Sequence, residues 1–367
     1  MKTIVVSGVN LFKAGSLKVM QECIEILSIH LGPDNKIIAL VHNQDQYKKY
    51  DNVEYIAFPK SRKSYFFRLY YEYVGFYKFS KKIKPDYWFS MHDATPNVIA
   101  GKRFVYCHNS FPFYKTGLKD LFIQPGIFML SLFSRYIFKI NIKKNDYVIV
   151  QQEWTRKAFQ KMFSINNIVV ALPVSPKLIS GSQDIVEEQR KISGKIFFYP
   201  MTPMVHKNLE IIGDAVTILE KEGVDNFKVV LTLDGKENKY ANRIYKKYSF
   251  LKNIVFKGLL SQEEVNRHYQ NSDCLLFSSK TESWGLPLTE AKEYNKAIFA
   301  SNLPYSYEAI GKYDKAKFFN PDDARQLANI MKDFINESIK YDKTESLIYE
   351  EPYVKNWNEL ISFLFNF

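Results

Sequence analysis

The chain has 367 residues, 46% of them hydrophobic and 25% charged, and a formal net charge of +12. That length points to two domains, and the composition excludes disordered, collagenous and disulfide-scaffold classes. Three cysteines, Cys23, Cys107 and Cys274, lie far apart with no CxxC pair. This suits a reducing cytoplasm and argues against a zinc cluster.

Met1–Ser7 is a short apolar run that meets Gly8 at once, so no secretory signal is expected. Strand-like runs follow at Thr3–Ser7, Lys36–His42, Val53–Phe58, Tyr87–Ser90, Arg103–Cys107, Tyr147–Gln151 and Ile168–Ala171. A second series comprises Lys195–Pro200, Lys228–Leu233, Ile254–Gly258, Cys274–Ser278, Ala297–Ser301 and Ala316–Phe319. Helix-length segments separate the runs, which predicts βαβ units and parallel sheets. Between the two series, Pro173–Gly194 is polar and carries two prolines and two glycines, so the domain boundary is placed there. The expected organisation is a first domain over 1–175, a linker over 176–194, a second domain over 195–345 and a closing helix over 346–367.

Charge is uneven. Residues 1–175 hold 25 Lys and Arg against 12 Asp and Glu; the remainder is nearly balanced. Ser61–Lys84 concentrates seven basic residues and nine aromatics around one acid, Glu72. Such a segment fits an anionic interface, or else an amphipathic helix with a solvated basic face. It has no RNA-reading or helix-turn-helix signature, so a membrane surface ranks above nucleic acid, which is not expected as a partner. Phe122–Ile140 is the most apolar stretch, but Pro125, Arg135 and Lys139 interrupt it. It reads as a helix lying on a membrane or in an apolar interface rather than a span.

Doubly wound sheets bind ligands outside the carboxyl ends of their strands, so the loops after the strands matter most. After Cys274–Ser278 comes Glu282-Ser283-Trp284-Gly285-Leu286, followed by Pro287 and Glu290. Pro287 suits a first helical turn, and Gly285 allows close approach of a ligand to the backbone. The amides from Ser283 to Leu286 would then face an anion. Glu290, expected in the first helical turn, can accept two hydroxyl hydrogen bonds from a ribose, with Glu282 one step nearer the cleft. After Lys195–Pro200, His206-Lys207-Asn208 is expected to open a helix, with Lys207 neutralising a diphosphate. In the first half, a glycine-bearing loop Gly8–Ser16, with Gly15, ends the first strand. The pairs His92-Asp93 and His108-Asn109 end two others. His92 and Asp93 would orient an acceptor or cap a helix. Gln151, Gln152 and Glu153 close a further strand on the same side.

The string E-S-W-G-L-P-L-T-E-A at Glu282–Ala291, with HKN at Lys207, resembles the retaining GT-B glycosyltransferases of family 4 type. Val255–Gly258, Leu233–Gly235 and Phe319–Asp322 agree with it. The resemblance implies an α/β GT-B fold, two Rossmann-like doubly wound domains facing a central cleft. It implies that Lys207 binds the donor diphosphate, Glu290 the ribose, and Glu282 the transferred sugar. Ser283, Trp284, Gly285 and Leu286 would line the donor, as would Gly15 from the first domain. His108 would act beside the sugar, making His108, Glu282 and Lys207 the catalytic set. His92, Asp93 and Asn109 would lie on the acceptor side.

Retaining, metal-independent transfer is implied, with the nucleotide sugar as substrate, no further cofactor and a lipid-linked glycan as acceptor. The expected location is cytoplasmic, on the inner membrane face, in O-antigen or polysaccharide assembly. No convincing DxD motif is present, since Asp322-Asp323 begins a late helix. One departure stands out: the family's arginine shortly before the lysine is missing from Met201–Val205. His206, an amide cluster or a residue of the other domain would replace it. The competing expectation is a non-catalytic nucleotide- or polyanion-binding protein; a sugar-nucleotide epimerase is a weaker third.

Overall fold

The structure is a computed structural model, and it describes residues 1–12, 14–172 and 194–365. The expected linker 176–194 therefore lies outside the described residues, Gly194 apart. Chain contacts divide the protein into two compact units. One comprises Met1–Asn109, Ser134–Leu178 and Tyr349–Phe367; the other comprises Ser110–Phe133 and Ile179–Ile348.

The first unit is built on β1 (Thr3–Ser7), β2 (Lys36–Val41), β3 (Val53–Ala57), β4 (Tyr87–Ser90), β5 (Lys102–Cys107), β6 (Tyr147–Val150) and β7 (Ile168–Ala171). The second uses β8 (Lys195–Tyr199), β9 (Phe227–Leu231), β10 (Ile254–Phe256), β11 (Cys274–Phe277), β12 (Ala297–Ser301) and β13 (Ala316–Phe319). A two-residue strand, β14 (Tyr353–Val354), joins the first sheet beside β7. All of these pairings are parallel. The central strands therefore read as continuous apolar runs, because helices cover both sheet faces there; the edge strand β3 is buried at no position. β4 and β11 are buried at every position. The thirteen strands expected from the sequence are present, with ends displaced by at most two residues. β14 was not expected, since two residues carry no period.

The sheet orders are β14-β7-β6-β5-β4-β1-β2-β3 and β10-β9-β8-β11-β12-β13. Each reverses direction beside its first strand, between β1 and β4 and between β8 and β11. A crevice for ligands opens at such a switch point.

Alternation along β1 sends its side chains into two cores. Ile4 and Val6 pack with the helix Ala14–Leu31 and with Trp357, Leu360, Ile361 and Leu364 of the closing helix. Val5 packs on the other face with Trp88 and Phe76. Phe76 opens the helix Phe76–Ile83, which follows a π-turn at Tyr71–Gly75 and the short helix Tyr65–Tyr70. This basic, aromatic segment divides its rings: Phe76 is buried, whereas Phe66, Phe67, Tyr70 and Tyr77 are exposed. The Phe122–Ile140 stretch breaks at Pro125 into the end of one helix and the helix Pro125–Lys139. No helix among the described residues is long and apolar enough to cross a membrane.

Candidate functional site

In the second unit, the loops after β8 and β11 meet at the switch point. Ser278, just past β11, donates to the Lys207 carbonyl at 2.8 Å and to that of Asn208 at 3.2 Å. The Lys280 amide donates to the His206 carbonyl at 2.7 Å. These bonds fix the HKN segment, which forms a 3-10 turn over Val205–Lys207 instead of opening the helix directly. The α-helix begins only at Leu209, because Asn208 takes a left-handed conformation, φ 55°. Asparagine tolerates that conformation, and its amide is held by the Pro321 carbonyl at 2.8 Å.

The consequence is a close pair. Lys207 Nζ lies 2.5 Å from Glu282 Oε1, and the two side chains are 16% and 15% exposed. Burial acts to raise the Glu282 carboxyl, but the Lys207 ammonium and the hydrogen bonds outweigh it, leaving the group below its ordinary value. His206 cannot provide the missing second cation. Its ring is buried against Phe111 and Tyr114, and burial, with the Lys207 charge, pulls its pKa down to about 3. Of the three expected replacements for the arginine, His206 is thereby removed.

Beyond Glu282 and Ser283, Trp284 is buried and its indole N–H donates to Thr289 at 3.0 Å. Gly285 has φ 88°, a left-handed position that glycine occupies without strain. The helix Leu286–Glu293 starts immediately after it, with Pro287 in its first turn. Glu290 is thus the fifth helical residue and belongs to the second turn, not the first, since the helix starts only where Gly285 ends the loop. The Tyr269 hydroxyl donates to Glu290 Oε2 at 2.8 Å and orients the carboxylate. Burial and Glu290 raise the Tyr269 phenol well above its usual value, so it remains a donor.

In the first unit the β1–β4 switch point gathers another cluster. His92 is only 2% exposed, and its ring sits between Glu72 at 2.7 Å and the Ser7 carbonyl at 3.2 Å. It neither caps a helix nor presents its ring to solvent, because the chain continues as irregular loop and Glu72 draws the ring inward. Asp93 is half-buried beside it. Its backbone is left-handed, φ 66°, and its Oδ1 accepts from the His108 amide at 2.8 Å. His108 Nε2 lies 4.0 Å from Asp93 Oδ2, and its Nδ1 is buried without a partner. Asn109 follows directly. Gln151, expected to line the acceptor side, is buried and donates to the Tyr106 hydroxyl at 2.8 Å; Gln152 and Glu153 are buried too. Gly15 falls inside the first turn of the helix Ala14–Leu31 rather than in the loop before it. A tight turn, Leu11 amide to Gly8 carbonyl at 2.9 Å, closes the strand end early.

Sequence reasoning missed Tyr269, Ser278 and Glu72. The first two touch their partners through contacts across 21 and 71 positions, which no local pattern encodes. Glu72 did leave a signal, as the lone acid among seven bases.

Residues 183–350 match the family model described as Glycosyl transferases group 1. Over 138 residues it is 25% identical to the serotype-specific mannosyltransferase WbdA of Escherichia coli, covering 37% of this chain and 17% of that protein. Over 214 residues it is 19% identical to the O-antigen chain mannosyltransferase RfbU of Salmonella typhimurium, covering 58% and 57% of the two chains. The matches thus span less than two thirds of the length of these curated relatives. The crystal structure of WaaG, a glycosyltransferase involved in lipopolysaccharide biosynthesis, superposes with a TM-score of 0.66 at 14% identity over 91% of both chains. The fold is GT-B.

Proposed function

We propose that the protein is a retaining glycosyltransferase that moves a sugar from a nucleotide diphosphate donor to a lipid-linked glycan in cell-surface polysaccharide assembly. The observation that carries this reading is the Lys207–Glu282 pair beside the Gly285 turn and the Tyr269-oriented Glu290, all at the switch point of one sheet. Lys207 would stabilise the leaving diphosphate electrostatically, together with the amides that open the helix Leu286–Glu293. Glu290 would accept from the ribose. Glu282 already places a carboxylate against Lys207, so donor binding would exchange one anionic partner of the ammonium for another while keeping its position. With no DxD pair in the sequence, the transfer is read as metal-independent. His108, Asn109, Asp93 and Gly15 are assigned to the sugar and acceptor.

The acceptor assignment draws on charge and exposed rings. Phe66 is 73% exposed, and Leu69 and Tyr70 are exposed beside Lys63, Lys78, Lys81 and Lys82. Phe122 is 80% exposed, and Leu132, Phe133 and Tyr136 are exposed along Pro125–Lys139. Aromatic rings with basic neighbours suit the headgroup layer of an anionic membrane, here the cytoplasmic face.

The test is a thermal-shift panel of UDP, GDP, dTDP, CDP and ADP on wild type and Glu290→Ala. A ligand at about 100 times its Kd adds roughly 2.7 kcal/mol. One nucleotide that stabilises only the wild type identifies the donor base. Nucleotide binding without sugar release from the matching donor would mean a non-catalytic binding protein. No shift with any of the five sinks the transferase reading.

A further inference from the structure

The cluster beneath Asp93 is more than packing. The Glu72 carboxylate belongs to the π-turn Tyr71–Gly75, is fully buried, and is gripped by Arg68 Nε at 3.0 Å one helical turn earlier. π-Turns inside helices often mark functional positions. Glu72 Oε1 also meets His92 Nε2 at 2.7 Å, while Glu72 Oε2 is buried without a partner. On the far side of the ring, His92 Nδ1 faces the Ser7 carbonyl at 3.2 Å. A carbonyl only accepts, so Nδ1 carries a proton, and the Nε2–Oε1 line needs one more. Arg68 Nη2 reaches the His92 carbonyl at 3.4 Å, so the ring and the main chain of His92 are both tied to the helix Tyr65–Tyr70 and its π-turn.

The charged and titratable groups around the ring are Arg68, Glu72, Asp93 and His108. Burial raises the Glu72 carboxyl more than Arg68 lowers it, and burial, Arg68 and His108 pull His92 well down. Both directions favour a neutral acid donating to a neutral imidazole. The next residue, Asp93, takes its left-handed conformation with its amide on the Tyr106 carbonyl at 3.1 Å and its carboxylate on the His108 amide.

We propose that Glu72 is a positioning residue for the transfer: it locks the His92 ring, and the His92–Asp93 turn thereby presents the Asp93 carboxylate to His108. Its importance for catalysis rests on the role assigned to His108 above. The basic aromatic segment is then tied to the loop that carries His108.

The test uses the full chain with ¹⁵N-labelled histidine. The six histidines give few imidazole signals, and His92→Gln and His108→Gln assign the two that matter. In wild type, His92 is expected as the Nδ1-protonated tautomer. Glu72→Ala should shift the signals of both His92 and His108. Glu72→Gln, whose amide can donate to Nε2, should return His108 toward its wild-type signal. A folded Glu72→Ala protein whose His108 signal coincides with wild type overturns the proposal. If Glu72→Ala does not fold, Arg68→Gln is read in its place, and unchanged His92 and His108 signals overturn it equally.

Once the donor is known, Glu72→Ala should lower kcat, by up to about 100-fold for a misplaced group, with donor affinity unchanged and Glu72→Gln largely restored. A wild-type chain that binds no nucleoside diphosphate would end the transferase reading and leave the histidine spectra to decide on Glu72.

Discussion

At the scale of residues, the second unit's site turns on two groups of opposite kind placed next to each other in sequence. The Lys207 turn is anchored by the Ser278 hydroxyl on the Lys207 carbonyl and the Lys280 amide on the His206 carbonyl, which fixes where the Lys207 side chain starts toward Glu282. Lys207→Ala should weaken the stabilising nucleotide by about 10- to 100-fold, the loss of one charge-assisted contact. Calorimetric titration checks it, and an unchanged Kd removes Lys207 from the site. His206 shows the reverse behaviour. Its folded pKa of about 3 lies below the ordinary value of 6.5. Between these values the unfolded chain binds a proton that the folded chain refuses, so stability is full above pH 6.5 and falls as the pH drops toward 3. The slope is about 1.4 kcal/mol per pH unit for one such group. His206→Gln should flatten the denaturation-midpoint profile in that window. A variant profile parallel to wild type would show that His206 is protonated in the native state.

At the scale of elements, the closing segment is the informative case. Its helix Trp357–Leu364 is only eight residues long and would not persist alone. Trp357, Leu360, Ile361 and Leu364 bury it in the core of the first unit. Arg156, itself buried, holds the carbonyls of Glu350 and Pro352 at 2.5 Å each, just ahead of β14. Trp357→Ala should therefore cost about 3 to 5 kcal/mol, the loss expected for a large aromatic in a core. Urea unfolding followed on the first unit measures it, and a loss below about 1 kcal/mol would mean that the helix contributes little to that core. The closing helix was expected, from the resemblance of Tyr353–Phe367, with Trp357, to the family's terminal helix. The strand before it was not, because a two-residue strand exists only where an edge such as β7 is waiting.

At the scale of the whole molecule, the excess positive charge lies in the first 175 residues, and the exposed side chains of Phe66, Leu69 and Tyr70 lie within the same stretch. Flotation should show binding to vesicles containing anionic lipid and weak binding to neutral ones, declining as salt rises through the range where surface charges are screened. The double variant Phe66→Ser, Tyr70→Ser should lower it further. Equal binding to both vesicle types would set aside the electrostatic docking.

The sequence alone determined the alternation of apolar runs with helical segments, and with it the two parallel sheets, because burial on both strand faces leaves no other way to place so many apolar residues. It also placed Gly285, Pro287 and the two glutamates along one short loop-and-helix segment, Glu282 to Glu290. Only the tertiary structure decided what those residues touch. That Tyr269 orients Glu290, that Ser278 holds the Lys207 turn, that His206 is buried and uncharged, and that His92 faces inward to Glu72 all depend on contacts between segments far apart in the chain. A one-dimensional pattern records which side chains share a face, while long-range packing settles which partner each buried polar group must find.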